Sequence, residues 1–158
     1  MTHDEIQPDM TDEQLTAVAE AMLPVAEVGP WLAKTYDTVA KVLAHQGVQP
    51  VGPPFSRFHR LDAGRFAVEA GFPVASVIDA SGDVRASSLS LPGGRVARTV
   101  HVGPYEEMEP AYAALTSWVR EQGGEPLGDA WEVYFSDPQL EPDPTAWRTE
   151  VVQPYRVG

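Results

Sequence analysis

The sequence predicts an α+β fold made as a tandem pseudo-two-fold repeat. Each unit runs strand–helix–strand–strand and forms an antiparallel sheet with its helix on one face. Three observations predict it. The phrase Val-Gly-Pro-aromatic occurs twice, at Val28–Trp31 and Val102–Tyr105, each time before a run with helical periodicity. Landmarks recur at fixed offsets: Gly47 and Gly123, like Gly52 and Gly128, lie 76 residues apart, and Glu69 and Glu150, like Pro73 and Pro154, lie 81 apart. The order of strand and helix signals is also the same in both halves.

In the first half, Leu15–Leu23 is expected to be a strand, although its composition is partly helical. Gly29-Pro30 is expected to open a helix through Gln46, because proline fixes φ and gives up a donor that a helix start leaves unpaired. Leu32, Tyr36, Val39, Ala40 and Leu43 form its apolar stripe, and Gly47 ends it. Two strands follow, Pro53–Leu61 and Arg65–Val74.

In the second half, Gly94–Val102 is β-branched and reads as a strand. Met108, Tyr112, Leu115, Trp118 and Val119 then mark a helical stripe ending at Gly123-Gly124. Pro110 would break a continuous helix, so the turn at Tyr105 is expected to be separate, with Pro110 near the start of the main helix. Trp131–Pro138 alternates as a strand, with Trp131, Val133 and Phe135 on one side and Glu132, Tyr134 and Ser136 on the other. Trp147–Tyr155 is the last strand. Residues 1–14 are expected to be a mobile acidic tail and residues 15–158 a single domain. Within the domain, repeat one is about 15–77, the connector 78–94 and repeat two about 95–155.

Bulk properties exclude several classes. The 158 residues carry 23 acidic and 11 basic side chains, a formal charge of −12, and the basic ones are scattered; this argues against a nucleic-acid partner. A neutral or cationic ligand suits such a field better than an anionic one. With no cysteine a thiolate metal site is excluded, and His3, His45, His59 and His101 show no metal-ligand spacing, so neither metal nor cofactor is expected. No signal peptide or membrane-length apolar run appears, and a cytoplasmic location without membrane partners is expected.

Two small sheets side by side are expected to leave a ligand cleft between the repeats. If Trp147, Thr149 and Val151 face the second helix, Glu150 points toward that cleft; the same count sends Phe66 and Val68 to the first helix and Glu69 toward the cleft. Tyr134 and Phe58 take the cleft side of their strands by the same logic. Trp131 and Trp147 share a side with apolar neighbours and serve either core packing or ligand stacking. Tyr36 and Tyr112 lie on the helical stripes, and Trp31 and Tyr105 at helix entries, where they either staple the turn or line the cleft mouth. His101 is expected to be structural.

The stretches VARTVHVGPY, WEVYFSDP and WRTEVVQPY, with VEAGFPV in the first half, resemble the GyrI-like small-molecule-binding domain, also found as the effector domain of AraC-type and MerR-type drug-responsive regulators. The resemblance runs from about Leu15 to Tyr155. It implies two strand–helix–strand–strand units, a ligand cleft, and a functional glutamate at Glu150, which drug-binding members use against cationic aromatic ligands. Unlike in those regulators, no helix-turn-helix segment is read in this sequence, so transcriptional control is not expected.

Three functions are consistent with the sequence. The first is binding or sequestration of aromatic, lipophilic, often cationic small molecules, multidrug or xenobiotic. Glu150 would supply charge and Tyr134, Phe58, Trp131 and Trp147 the stacking surfaces, with Trp31, Tyr36, Tyr112 and Glu69 as further contacts. The second is a hydrolase opening cyclopropane-bearing DNA-alkylating compounds, to which stand-alone members are similar. Glu150 would then position water and Tyr134 would hold the developing oxyanion. The third is a protein-interaction module such as a gyrase modulator.

Overall fold

A computed structural model describes residues 2–3, 5–62, 64–86, 91–137 and 140–157. The strands are β1 (Thr2–His3), β2 (Gln7–Thr11), β3 (Thr16–Pro24), β4 (Phe55–Arg60), β5 (Arg65–Pro73), β6 (Arg85–Ala86), β7 (Gly94–Val102), β8 (Gly124–Pro126), β9 (Trp131–Tyr134) and β10 (Arg148–Val157). Two α-helices, α1 (Val25–Gln46) and α2 (Glu109–Glu121), and 3-10 turns at Tyr105–Glu107 and Pro144–Ala146 complete the fold. The chain forms two units, one of Glu13–Pro92, the other of Met1–Asp12 with Gly93–Gly158.

In the Glu13–Pro92 unit the strand order is β4–β5–β3–β6, all antiparallel. α1 packs on one face, burying Val39 and Leu43 against Ala17 and Val74. Gly71 allows β5 to run close to β3: a Cβ there would lie 1.8 Å from the Ala17 carbonyl oxygen. In the other unit β7, β10 and β9 follow one another, with β1 and β2 on the outer side of β7 and β8 pairing the end of β10. α2 lies on this sheet through Ala111, Leu115 and Val119, which meet Ala97, Val151 and Tyr155. Each unit therefore puts its first strand beside its last and its middle strand outside, as duplication of one module requires.

Four details differ from the sequence expectation. α1 begins at Val25 rather than at Gly29-Pro30 and runs through Pro30; Glu27 in its first turn complements the helix dipole, and the proline removes one backbone bond there. Residues 7–11, expected in a mobile tail, form β2 on β7, with Asp9 opposite Val96. Asp9 also meets the Arg98 guanidinium at 3.3 Å. The strand expected over Trp131–Pro138 pairs only through Tyr134, and Pro138 lies outside the described residues. β8 carried no strand signal because it is three residues long and follows directly on the helix end.

In the connector, β6 supplies a short strand, and residues 87–90 lie outside the described residues. The separate turn at Tyr105 and the start of α2 beside Pro110 are as expected. Among the described residues, no helix is long and apolar enough to cross a membrane.

Candidate functional site

Ladder register decides which side chains meet. Directly opposed residues of an antiparallel pair project from the same face. β10 places Val151 opposite Glu132 and Thr149 opposite Tyr134, and on its other side Thr149 opposite His101. Val151 packs under α2. Glu132, Tyr134, Thr149 and His101 therefore all project from the α2 face.

Glu132 is the centre of this group. The Tyr112 phenol, from α2, donates to its Oε2, and the Tyr134 phenol donates to its Oε1 at 2.9 Å. The residue is 9% exposed. Among the described residues no lysine or arginine pairs with it; its other electrostatic neighbour is His101. Burial holds the Glu132 carboxyl above its usual range, outweighing the two phenols and His101, which pull it down. The Tyr112 hydroxyl is pushed strongly up by burial first, then by the Glu132 charge and their hydrogen bond. Tyr105 is pushed up by burial and then by Glu132 and Asp137. The Tyr112 phenol consequently stays protonated at neutral pH and donates to the Glu132 carboxyl group.

The rings around this carboxylate are held by local structure. Gly103, at φ 137°, turns the chain out of β7 in a conformation that L side chains rarely adopt, and its N–H donates to the Trp147 carbonyl at 2.8 Å. His101 Nε2 lies 3.0 Å from the Pro104 carbonyl, which can only accept, so this nitrogen carries the hydrogen. The next residue is Tyr105. Its ring lies 4.8 Å from that of Trp147 at a 31° tilt, and 5.7 Å from Tyr134 edge-on. Trp147 donates its indole N–H to the Glu141 carbonyl at 2.8 Å. Tyr105 is 37% exposed, and Trp147 and Tyr134 are half-buried, so contacting aromatic rings extend from the exposed Tyr105 to Tyr134, whose hydroxyl meets Glu132. Thr149, wholly buried on the rung of His101 and Tyr134, has a hydroxyl without a hydrogen-bond partner among the described residues.

The structure brings together Tyr112, Tyr134 and Trp147 of the expected contacts. It does not bring Glu150 to them; the glutamate among them is Glu132. Glu150 faces Val133 and Val100 across the ladders, on the face away from α2, and is neutralised by Arg98 at 2.9 Å. Tyr134, one ladder position along, points to the opposite face, so Glu150 and Tyr134 do not meet. Glu69 sits in the same way opposite Arg57, paired with it at 2.7 Å, while Phe58 is opposite Val68 on the α1 face. Trp131 is buried on the Glu150 face.

Phe58 instead meets Phe66 edge-on at 6.2 Å. Tyr36 donates its hydroxyl to the Phe55 carbonyl at 2.8 Å and meets Phe72 edge-on at 6.0 Å. Trp31 is half-buried on α1. His101 is on the α2 face. The alternation of Trp131–Ser136 had already set Glu132 beside Tyr134, but a lone glutamate inside a strand gave no sign that its partners would be phenols. The chemical result is a desolvated carboxyl group met by two phenol hydroxyls, with Tyr105 and Trp147 beyond Tyr134, able when ionised to attract a cation and to orient a polar hydrogen.

The GyrI-like small molecule binding domain matches residues 11–156. No curated protein matches the chain. Among solved structures, the EcmrR C-terminal domain is covered over 100% of both chains with a TM-score of 0.83 and 16% identity. In the EcmrR–DNA complex, 99% of this chain spans 58% of the EcmrR chain, at a TM-score of 0.82 and 17% identity. A hydrolase from Listeria innocua matches with a TM-score of 0.67 and 12% identity, over 96% of this chain and 92% of that one. SAV2435 bound to tetraphenylphosphonium matches with 0.65 and 12%, over 97% and 94%. Identities this low speak for the fold alone. With the sequence match over nearly its whole length and the shared architecture, the chain belongs to the GyrI-like small-molecule-binding family.

Proposed function

We propose that this protein binds aromatic, lipophilic cations, with Glu132 as the anionic acceptor and Tyr105, Tyr134 and Trp147 as the stacking surfaces. The observation that carries the reading is a buried carboxylate held by phenols, with no lysine or arginine opposite it among the described residues. An ion pair at ~4 Å with an effective dielectric of 20 contributes ~4 kcal/mol before desolvation. Cation–π contact adds ~0.5–2 kcal/mol. Ring faces tolerate many shapes while the carboxylate selects charge, so specificity is broad. The relative SAV2435 is a structure with tetraphenylphosphonium bound, which is a ligand of this class.

Titration with tetraphenylphosphonium, followed by tryptophan fluorescence, tests the reading. Glu132→Gln should weaken binding about tenfold or more, or ~1.4 kcal/mol. Unchanged affinity in that variant removes Glu132 from the role.

The raised Glu132 carboxyl also favours a second reading, hydrolysis of an activated cyclopropane. As carboxylate, Glu132 would take a proton from water; the oxygen would bond to the ring carbon and the ring C–C pair would pass into the conjugated carbonyl, where a phenol donates. Likeness in fold to a Listeria innocua hydrolase is in keeping with it. Mass spectrometry after incubation with a cyclopropane-bearing alkylator separates the readings: turnover to a product heavier by one water supports hydrolysis, recovery of the intact compound supports binding alone.

A further inference from the structure

Thr149 is the polar group of this site that nothing yet uses. Its side chain is 0% exposed and its Oγ1 has no hydrogen-bond partner among the described residues. Buried hydroxyls are normally satisfied, and leaving one unpaired is unfavourable. Its surroundings are polar. It shares its rung and face with His101 and Tyr134, and Glu132 is its diagonal neighbour across the β9–β10 ladder. His101 Nε2 is committed to the Pro104 carbonyl and the Tyr134 hydroxyl to Glu132, so neither answers the threonine. Diagonal neighbours have Cβ atoms up to roughly 7–8 Å apart. One ammonium nitrogen can bridge such a pair with two N–H···O bonds of ~2.9 Å.

We infer that Thr149 is a specificity-determining residue that makes the site prefer protonated amines to permanent onium cations. The inference rests on Glu132 being the cation acceptor. A primary ammonium gives one N–H to Glu132 and a second to Thr149 Oγ1; a quaternary centre has no N–H and leaves the hydroxyl unpaired. Charge alone would favour both alike, so the hydroxyl separates them.

A matched pair of probes tests this: 2-(1-naphthyl)ethylammonium and its N,N,N-trimethyl analogue, titrated against the intact protein. The wild type should bind the primary amine about tenfold more tightly. Thr149→Val keeps the shape and removes the hydroxyl; it should weaken the primary amine about tenfold and leave the trimethyl probe within twofold. Thr149→Ser should restore the preference. Equal binding of the two probes by the wild type overturns the proposal, as does an equal loss for both in Thr149→Val, which marks a packing role. If Glu132→Gln leaves both affinities unchanged, the cation-acceptor reading itself has failed. If Glu132→Gln weakens both while Thr149→Val changes neither, that reading stands and the threonine role falls.

Discussion

Tyr112 of α2 donates its phenolic hydrogen to Glu132 of β9, so helix and sheet are joined through a buried carboxylate as well as through apolar packing. Burying the carboxyl costs stability, because desolvation holds it above its usual pKa, and the Tyr112 hydrogen bond offsets part of that cost.

Glu132→Gln should stabilise the protein at alkaline pH. A carboxyl whose folded pKa exceeds its unfolded value binds more protons folded than unfolded, so stability falls as pH rises from the unfolded value through the folded one. The amide carries no such penalty. The melting temperature of the variant should exceed that of the wild type at pH 8, and the gap should close as pH approaches 4. A variant that melts lower at pH 8 contradicts the assigned direction.

Tyr112→Phe removes a donor from that carboxylate and should cost about 1–3 kcal/mol at pH 8, read by urea denaturation. The loss should shrink when Glu132 is already glutamine. A double-mutant cycle of the two changes is expected to give a coupling of about 1 kcal/mol or more; strict additivity would mean that the contact contributes nothing.

Glu150→Gln should leave tetraphenylphosphonium affinity unchanged within twofold while lowering stability by about 1 kcal/mol. Its partner Arg98 retains Asp9, and the pair is largely but not wholly removed from solvent. Comparing its titration with that of Glu132→Gln shows which glutamate the ligand meets.

Gly71→Ala should be among the most damaging single changes in the Glu13–Pro92 unit. The added methyl would lie 1.8 Å from the Ala17 carbonyl oxygen, and backbone rather than a flexible side chain must give way. A loss of about 3 kcal/mol or more is expected in the denaturation midpoint. Gly64→Ala, in open space at φ 70°, should cost only about 1 kcal/mol.

Much of this architecture could be read from residues alone. The paired glycines at 47 and 123 and the alternation of Gly94–Val102 found the repeat, because helix ends and half-buried strands leave local chemical marks. The helix start at Val25 escaped, since a Gly-Pro pair is a strong start signal and here the helix simply passes through it. Tyr112, Tyr134 and Trp147, singled out in the sequence, are aromatic residues that the structure gathers near Glu132. Which glutamate accompanies these rings was not legible, because Glu150 and Glu132 both occupy strands and only the register of β10 against β9 says which one faces α2. Ion pairing is equally silent in sequence: Arg98 lies 52 residues from Glu150, and nothing local announces that they meet.

β2 belongs with β7, yet more than the length of a whole repeat separates them in the chain. A ribosome making this protein releases Gln7–Thr11 long before Gly94–Arg98 exist, so the earliest strand must wait unpaired while Glu13–Pro92, whose pairings are more local, can already organise. The unit that carries Glu132 is thus completed from both ends of the polypeptide. Expressing residues 93–158 by themselves would yield a sheet lacking its border, with β7 free to recruit a stranger.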